Sequence, residues 1–381
     1  MSTAEATKPQ SAELAPVVDD WSGWMISGRV RSSSEGSPHE STVRTPAQGI
    51  QDGIDAEKIG YRRVYLSERL NLKEAGAFLG GIAAQTSRLE IGTAMATPGY
   101  HHPLHAAALG ATMHACFGPR FILGIGRGSN TWLTGTGMTE VGYQGVIDYA
   151  DIVRRLWRGE HVDYDGPAGT FVDLHMGDIY EGPAPQVWLG GFGLPKFADA
   201  SARRFDAVFL HPMFTPEATR RAVTRLREAC ERIGRDPASL RIIQPIVTAP
   251  ELDDVETRAL CHARAVTYLQ IPGYGEALVR ANGWDPKVIE RIRNHTQISS
   301  KTVIADFAYH RIELLEIAKL VPDEWMERSC GMGSVDDCLK AAQALKAAGA
   351  DEIATYGSTP NQNAKLVAAW RHAKVAAAAG V

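Results

Sequence analysis

The chain has 381 residues, 44% hydrophobic and 22% charged, which is enough for one large or two medium domains with a core of ordinary size. Its formal net charge of −4 disfavours a nucleic-acid-binding protein, because phosphate binding needs a basic surface. The five cysteines are scattered and contain no C-x-x-C pair, which disfavours structural zinc and favours a reducing cytoplasm. No apolar run reaches the ~18 residues of a membrane-spanning helix, so we expect no membrane partner.

Short apolar runs alternate with helical patterns along the chain. Residues 1–20 are polar and lack the apolar segment of a signal peptide, so we expect a disordered tail before a single domain over 21–381. The runs are continuous rather than alternating in polarity, which is typical of parallel strands buried on both faces. Eight strands are predicted at 24–27, 63–66, 89–95, 121–125, 186–189, 207–210, 242–247 and 352–356.

Helices are predicted between the strands. Gly60 is expected to end the helix over 49–59, and Pro103 and Thr215 stand at helix starts. Two insertions interrupt the pattern, a β-hairpin within 161–178 and a mostly helical segment at about 251–330. Eight strand–helix units with insertions predict an α/β fold, a (β/α)8 TIM barrel, whose active site lies at the carboxyl ends of the strands.

Glycine clusters follow the fourth and fifth strands. Gly124, Gly126 and Gly128 follow the strand over 121–125, and the second cluster begins at Gly190. Glycine lets backbone N–H groups approach a ligand closely, and two adjacent barrel loops can hold one phosphate between them. A tight turn explains either cluster alone equally well. Together they predict a phosphate-bearing cofactor across the barrel mouth, with Lys196 close enough to help.

Polar residues at other strand ends are candidates for chemistry. Glu68 follows the second strand and is a candidate acid, base or hydrogen-bond acceptor, with an ion pair to Arg69 as the alternative. His211 follows the sixth strand and either touches substrate or fills the mouth. Arg204 is expected to cover a helix surface, and Cys116 to be a buried thiol rather than a nucleophile.

Three histidines surround the exit of the third strand. His101, His102 and His105 lack the His-x-His pair or carboxylates of a catalytic zinc site, so we predict no metal. A histidine that contacts a ligand or caps the following helix is favoured instead.

Several segments carry a resemblance to a known superfamily. They are 67–75, 84–88, 102–103, 111–114, 120–128, 156–160, 267–270 and 282–286. In their order and spacing the chain resembles the bacterial luciferase-like monooxygenases, and within them the branch that uses the 8-hydroxy-5-deazaflavin coenzyme F420. The last two segments are similar to an actinobacterial subgroup. The resemblance implies a luciferase-like barrel that passes hydride between C5 of the deazaflavin and a bound small organic substrate.

The resemblance also implies roles for individual residues. Glu68, His102 and His211 would be candidate proton partners in catalysis. The exit of the third strand would form a bulge under the cofactor ring, often with a non-proline cis peptide. The implied cofactor-binding residues are Ala94, Met95 and Ala96 at this bulge, Gly126, Arg127 and Gly128 along the side chain, and Gly190, Gly191 and Phe192 at the phosphate.

Two departures from the subgroup concern the ring-side contacts and the substrate. The third strand exits through 97–103 without the usual asparagines, and Gly118, Pro119 and Arg120 replace a Gly-Gly-Arg run. The alternatives are an FMN-dependent two-component monooxygenase and, in another class, a cofactor-binding protein with little activity. A flavin or F420 reductase would then be a partner that supplies reduced cofactor. We also expect a cytoplasmic homodimer, in which Trp284 and Trp325 either form the interface or cap the barrel.

Overall fold

The structure is a computed structural model that describes residues 14–26, 44–68, 74–128, 133, 136–138, 140–299 and 305–379. The strands are β1 (Val18–Trp24), β2 (Tyr61–Leu66), β3 (Glu90–Thr93), β4 (Phe121–Ile125), β5 (Val162–Gly166), β6 (Gly169–Leu174), β7 (Gln186–Gly190), β8 (Ala207–Phe209), β9 (Arg241–Pro250), β10 (Cys330–Gly333) and β11 (Glu352–Tyr356).

Most helices lie in the connections between these strands. They are α1 (Pro46–Ile59), α2 (Ala75–Ala83), α3 (Pro103–Phe117), α4 (Tyr143–Trp157), α5 (Pro195–Arg204), α6 (Pro216–Arg232), α7 (Asp254–Leu260), α8 (His262–Leu269), α9 (Tyr274–Asn282), α10 (Lys287–Asn294), α11 (Thr296–Ser299), α12 (Ala305–Ala308), α13 (Leu315–Ala318), α14 (Asp323–Ser329), α15 (Val335–Ala347) and α16 (Ala364–Ala379). As predicted, Gly60 ends α1 in the left-handed conformation, and Pro103 and Thr215 occupy the starts of α3 and α6.

Eight parallel strands close into a barrel. Each pairs with the next in the order β1, β2, β3, β4, β7, β8, β9 and β11, and β11 pairs back with β1. β10 pairs with the second half of β9 outside this ring, and β5 and β6 form the separate antiparallel hairpin. The (β/α)8 TIM-barrel prediction is therefore confirmed.

The barrel is filled by aromatic rings, and a buried carboxylate lies at its amino end. Tyr65 and Phe209 pack edge to face with their ring centroids 4.9 Å apart. Glu352, fully buried at the start of β11, accepts hydrogen bonds from Arg63, from the Tyr65 hydroxyl at 3.1 Å and from Arg241 at 2.9 Å. These hydrogen bonds pair the buried charges at the amino end of the barrel. Barrel enzymes have their active site at the carboxyl ends of the strands.

Two strands differ from their predictions. β1 begins at Val18 instead of residue 24, because the buried Asp20 is held within the barrel wall by Lys346, Lys374 and Trp370. The prediction of a disordered tail over 1–20 is therefore wrong for residues 18–20, which belong to β1. Residues 1–13 of that predicted tail lie outside the described residues. β10, a strand of four residues of which two are glycines, was not predicted and begins where the predicted helical segment at about 251–330 ends.

The helical segment between β9 and β10 packs its tryptophans internally. The rings of Trp284 and Trp325 stack 4.4 Å apart at an angle of 5°, and both side chains are buried. This packing accounts for their apolar surface within one chain, and the homodimer remains a prediction. Among the described residues, no helix has both the length and the apolar character required to cross a bilayer.

Candidate active site

The exit of β3 forms a bulge that its neighbours hold on one side. The Ala94–Met95 peptide bond is cis, at the place where the resemblance puts it. The Ala94 carbonyl accepts hydrogen bonds from Trp24 Nε1 and Ser67 Oγ, both at 3.0 Å, and its N–H donates to the Leu66 carbonyl at 2.7 Å. These bonds attach the bulge to β1 and β2.

On its other side the bulge is bonded to β4. The Ala96 N–H donates to the Gly124 carbonyl, and the Gly126 N–H donates back to the Ala96 carbonyl, each at 2.9 Å. The Gly126 N–H is therefore already used within the barrel.

The Met95 side chain lies over the glycines that end β4 and β7. A methyl group on Gly190 would overlap the Met95 Sδ and lie 2.5 Å from its Cε. A methyl group on Gly126 would lie 3.3 Å from the same sulfur, and one on Gly124 would overlap the Thr93 carbonyl oxygen. These glycines therefore make room for Met95 and for the chain of β3.

The second glycine cluster keeps some backbone donors free. The Gly191 N–H donates to the Phe209 carbonyl at 3.0 Å, so it is not available to a ligand. Among the described residues, the N–H groups of Phe192 and Gly193 donate no hydrogen bond. The next helix, α5, begins at the N-cap Leu194, which provides no side-chain cap. Free N–H groups at a helix start are suited to an anion, and the phosphate site at Gly190, Gly191 and Phe192 stays a prediction, with Phe192 and Gly193 as the available donors.

Arg127 is held by the segment that leads into α4. Its guanidinium forms an ion pair with Glu140, donates from Nε to the Val141 carbonyl at 3.2 Å and lies 4.6 Å from the centroid of the Tyr143 ring. The neighbouring Gly128 has a φ of +78°, a conformation that favours glycine. The chain therefore leaves β4 with the Arg127 side chain held against residues 140–143.

Glu68 pairs with a histidine from the next loop. Its Oε2 lies 2.6 Å from His101 Nε2, and the two side chains are 5% and 17% exposed. The His101 ring stacks on that of His105 with centroids 5.5 Å apart. Burial, helped by the negative charge of Glu68, raises the pKa of Tyr149. The predicted alternative partner, Arg69, lies outside the described residues.

His102 makes the contacts of a helix cap. Its Nδ1 accepts a hydrogen bond from the Leu104 N–H at 3.2 Å, and its exposed ring meets the edge of Phe171, 5.1 Å away. Of the capping and ligand-contacting alternatives, these contacts match capping. The residue that reaches Glu68 is its neighbour His101, which the sequence pattern did not single out.

His211 is buried and neutral at the end of β8. Its Nδ1 accepts from the Met213 N–H at 3.2 Å, so Nε2 carries the proton. No described residue accepts a hydrogen bond from Nε2. Burial, and to a lesser extent the charge of Arg264, lowers the pKa of His211 to about 3. The Phe192 ring stacks on the imidazole with centroids 5.0 Å apart.

Tyrosines and an arginine complete this side of the mouth. Tyr268 meets the His211 ring edge to face with centroids 4.7 Å apart, and Tyr274 lies 5.6 Å away. The buried Arg264 donates to the hydroxyl of Tyr268 at 2.8 Å and to that of Tyr356. Sequence reasoning missed Arg264 and Tyr268, because a helical pattern does not show which of its residues face a distant strand end. It also missed Tyr356, which was assigned only as the last residue of the strand over 352–356.

A family model described as luciferase-like monooxygenase matches residues 23–352 of the chain. The chain belongs to this family. The family consists of enzymes, so the protein is an enzyme. The match runs from the end of β1 to the start of β11 and includes the site residues described above except Tyr356.

Curated relatives of this luciferase-like protein include an F420-dependent dehydrogenase and a ketoreductase. The F420-dependent glucose-6-phosphate dehydrogenase of Microbacterium testaceum is 26% identical over 302 residues, which are 74% of this chain and 83% of the relative. The phthiodiolone/phenolphthiodiolone dimycocerosates ketoreductase of Mycobacterium tuberculosis is 30% identical over 52% of this chain and 54% of its own length.

Solved structures share the fold at low identity. The coenzyme F420-dependent tetrahydromethanopterin reductase of Methanopyrus kandleri has a TM-score of 0.70 and 16% identity, over 93% of this chain and 97% of the other. An F420-dependent secondary alcohol dehydrogenase in complex with an F420-acetone adduct has a TM-score of 0.65, also at 16% identity, over 86% and 96%. At these identities the likeness shows the fold alone.

The remaining sequence candidates lie on the outside of the luciferase-like barrel. Arg204 pairs with Asp151 at 3.5 Å on the surface, as expected, and Lys196 is exposed in the first turn of α5. The prediction of a buried Cys116 is wrong, because its position on α3 faces outward and the thiol is exposed.

Proposed function

We propose that the protein is a coenzyme F420-dependent oxidoreductase that transfers a hydride between the deazaflavin and a small organic substrate at the barrel mouth. The observation that carries the proposal is the buried Nε2–H of His211. A buried donor without an acceptor is costly, so a molecule bound at the mouth is expected to accept this hydrogen bond. The relative that is named as F420-dependent supports the deazaflavin as one of the molecules that bind at the mouth.

The residues present fit a flat ring that carries a phosphate. The bulge at Met95 would lie beneath the ring, and the loop at Arg127 and Gly128 beside its side chain. The N–H groups of Phe192 and Gly193, with the start of α5, would hold the phosphate. When bound, F420 supplies or accepts the hydride.

The Glu68–His101 pair and His211 can play different chemical roles at the mouth. Glu68 and His101 share one short hydrogen bond, across which a proton can move between Oε2 and Nε2. His211 is neutral with its proton on Nε2, so it can donate a hydrogen bond to an oxygen but does not become charged near neutral pH. We assign proton transfer to Glu68 and His101, and orientation of the substrate to His211.

Cofactor titration tests the proposal. The cofactor-free protein is titrated separately with F420 and with FMN, and binding is followed by fluorescence. We expect micromolar or tighter binding of F420 and much weaker binding of FMN, and then turnover with reduced F420 and candidate carbonyl compounds. A preference for FMN, with oxygen consumption in the presence of a reductase, would replace the proposal with the monooxygenase alternative. F420 binding without any turnover would favour the cofactor-binding protein.

A further inference from the structure

Two histidines and an aspartate converge at the open end of the β5–β6 hairpin. His161 Nδ1 lies 2.5 Å from Asp173 Oδ1, and His175 Nδ1 lies 3.8 Å from Asp173 Oδ2. The two imidazole rings stack with centroids 4.1 Å apart. One ligand atom of each residue lies within 4.8 Å of those of the other two.

The hairpin register brings these residues together. Val162 pairs with Leu174, so His161 and His175 face each other just beyond this pair. Asp173 is two residues before His175, at an irregular point of the hairpin, and its carboxylate contacts His161 on the other strand. Its backbone has a φ of 51°, and its N–H donates to Asp163 Oδ1 at 2.8 Å, within the register shift between residues 162 and 164. The backbone thus fixes the side of the hairpin on which the carboxylate stands.

The donor set is that of a divalent metal of intermediate softness. Because His175 Nδ1 donates to the Asp173 carbonyl at 2.7 Å, its Nε2 keeps a free lone pair. Two imidazoles and one carboxylate are common zinc ligands, and a zinc bond of ~2.1 Å places tetrahedral ligands about 3.4 Å apart. The three side chains are 64%, 64% and 42% exposed, so they can rotate to close the distance from 4.8 Å.

We propose that His161, Asp173 and His175 bind a Zn²⁺ ion, with water in the fourth position. Hydrogen bonds to Asp173 hold both histidines beside the carboxylate, so the three side chains are already gathered before an ion binds. The ion would join the two strands beyond their last paired residues. This site uses no residue of the proposed cofactor site, so its test and that of the proposed function are independent.

Metal titration of the full chain, after removal of metals with a chelator, tests the site. We expect one Zn²⁺ ion to bind by calorimetry, with at least tenfold weaker affinity in Asp173→Asn and no binding at this site in His161→Ala/His175→Ala. His372→Ala removes an exposed histidine from α16 and serves as the control that keeps wild-type affinity. The substituted side chains are exposed, and unchanged circular dichroism and melting confirm that the variants fold.

Co²⁺ distinguishes this site from binding to a thiol. We expect weak visible bands of nitrogen and oxygen ligation that disappear in the double variant. Intense sulfur-to-cobalt charge transfer in the near ultraviolet would assign the metal to a cysteine such as the exposed Cys116 and overturn the proposal. Zinc titrations of wild type and double variant that superimpose would overturn it as well.

Discussion

A methyl group at Gly190 tests how the floor of the barrel mouth is built. In Gly190→Ala the new Cβ would overlap the Met95 Sδ and lie 2.5 Å from its Cε. The Cε has to withdraw by about 1 Å to reach an ordinary carbon–carbon contact of about 3.5 Å, and the Sδ has to withdraw further. Overpacking costs about 1–3 kcal/mol, and we expect the lower half of this range because methionine is flexible.

Three further variants, Gly126→Ala, Met95→Ala and the double variant Met95→Ala/Gly190→Ala, make the test specific to Met95. Gly126→Ala places its Cβ 3.3 Å from the same sulfur, so a shift of a few tenths of an ångström suffices and the loss of stability should be clearly smaller. In the double variant Met95→Ala/Gly190→Ala the overlap is gone. We therefore expect the two substitutions to be coupled by about 1 kcal/mol, with the double variant more stable than the sum of the single losses predicts.

The assay is urea unfolding of wild type, of the single variants Gly190→Ala, Gly126→Ala and Met95→Ala, and of the double variant, followed by F420 titration of each. A displaced Met95 would disturb the surface under the proposed ring, so Gly190→Ala should bind F420 about tenfold more weakly, equivalent to about 1.4 kcal/mol. If the effects of the two substitutions on stability add within about 0.5 kcal/mol, Met95 does not rest on Gly190 and the reasoning is refuted.

Three other predictions concern the polar groups of the mouth. The pKa of His211 in the folded chain, about 3, lies below the ~6.5 of an unfolded histidine, so the unfolded state binds more protons between these values and stability falls as the pH falls. Wild type should therefore lose about 2 kcal/mol of unfolding free energy from pH 7 to pH 5 through His211, and His211→Phe should not show this loss. An equal pH dependence of stability in both proteins would show that His211 does not have the lowered pKa. Glu68→Gln should keep F420 affinity but lower turnover about 10²-fold, and unchanged turnover would remove Glu68 from the chemistry. His102→Ala should cost about 1 kcal/mol of stability as a lost helix cap and leave turnover unchanged, whereas a large loss of turnover at full stability would restore it as a catalytic candidate.

The barrel could be predicted from the sequence because parallel strands buried on both faces produce continuous apolar runs. Phe121 to Ile125 and Glu352 to Tyr356 match their predicted bounds for this reason. β1 does not, because Asp20 within it is compensated by lysines and a tryptophan more than 300 residues away. Local patterns contain no sign of such partners.

The site shows the same division between local and distant information. The position of Glu68 and the cis bond before Met95 followed from strand ends and from the resemblance. The choice of His101 over His102 depends on loop geometry, since the first residue reaches back to Glu68 while the second caps α3. Arg264 was missed because its partners belong to β11 and its own helix.

The order of strands around the ring separates the two polar groups of the mouth. Glu68 follows β2 and His211 follows β8, four strands apart in a ring of eight, so they stand on opposite sides of the barrel. The bulge at Met95 and the glycine at the end of β7 lie on the arc between them. We expect a flat molecule on that floor to have a proton-transferring pair on one side and a fixed, uncharged donor on the other. A hydride reaction at a carbon bonded to oxygen needs such a division, because the oxygen must be held and its proton must be delivered or removed.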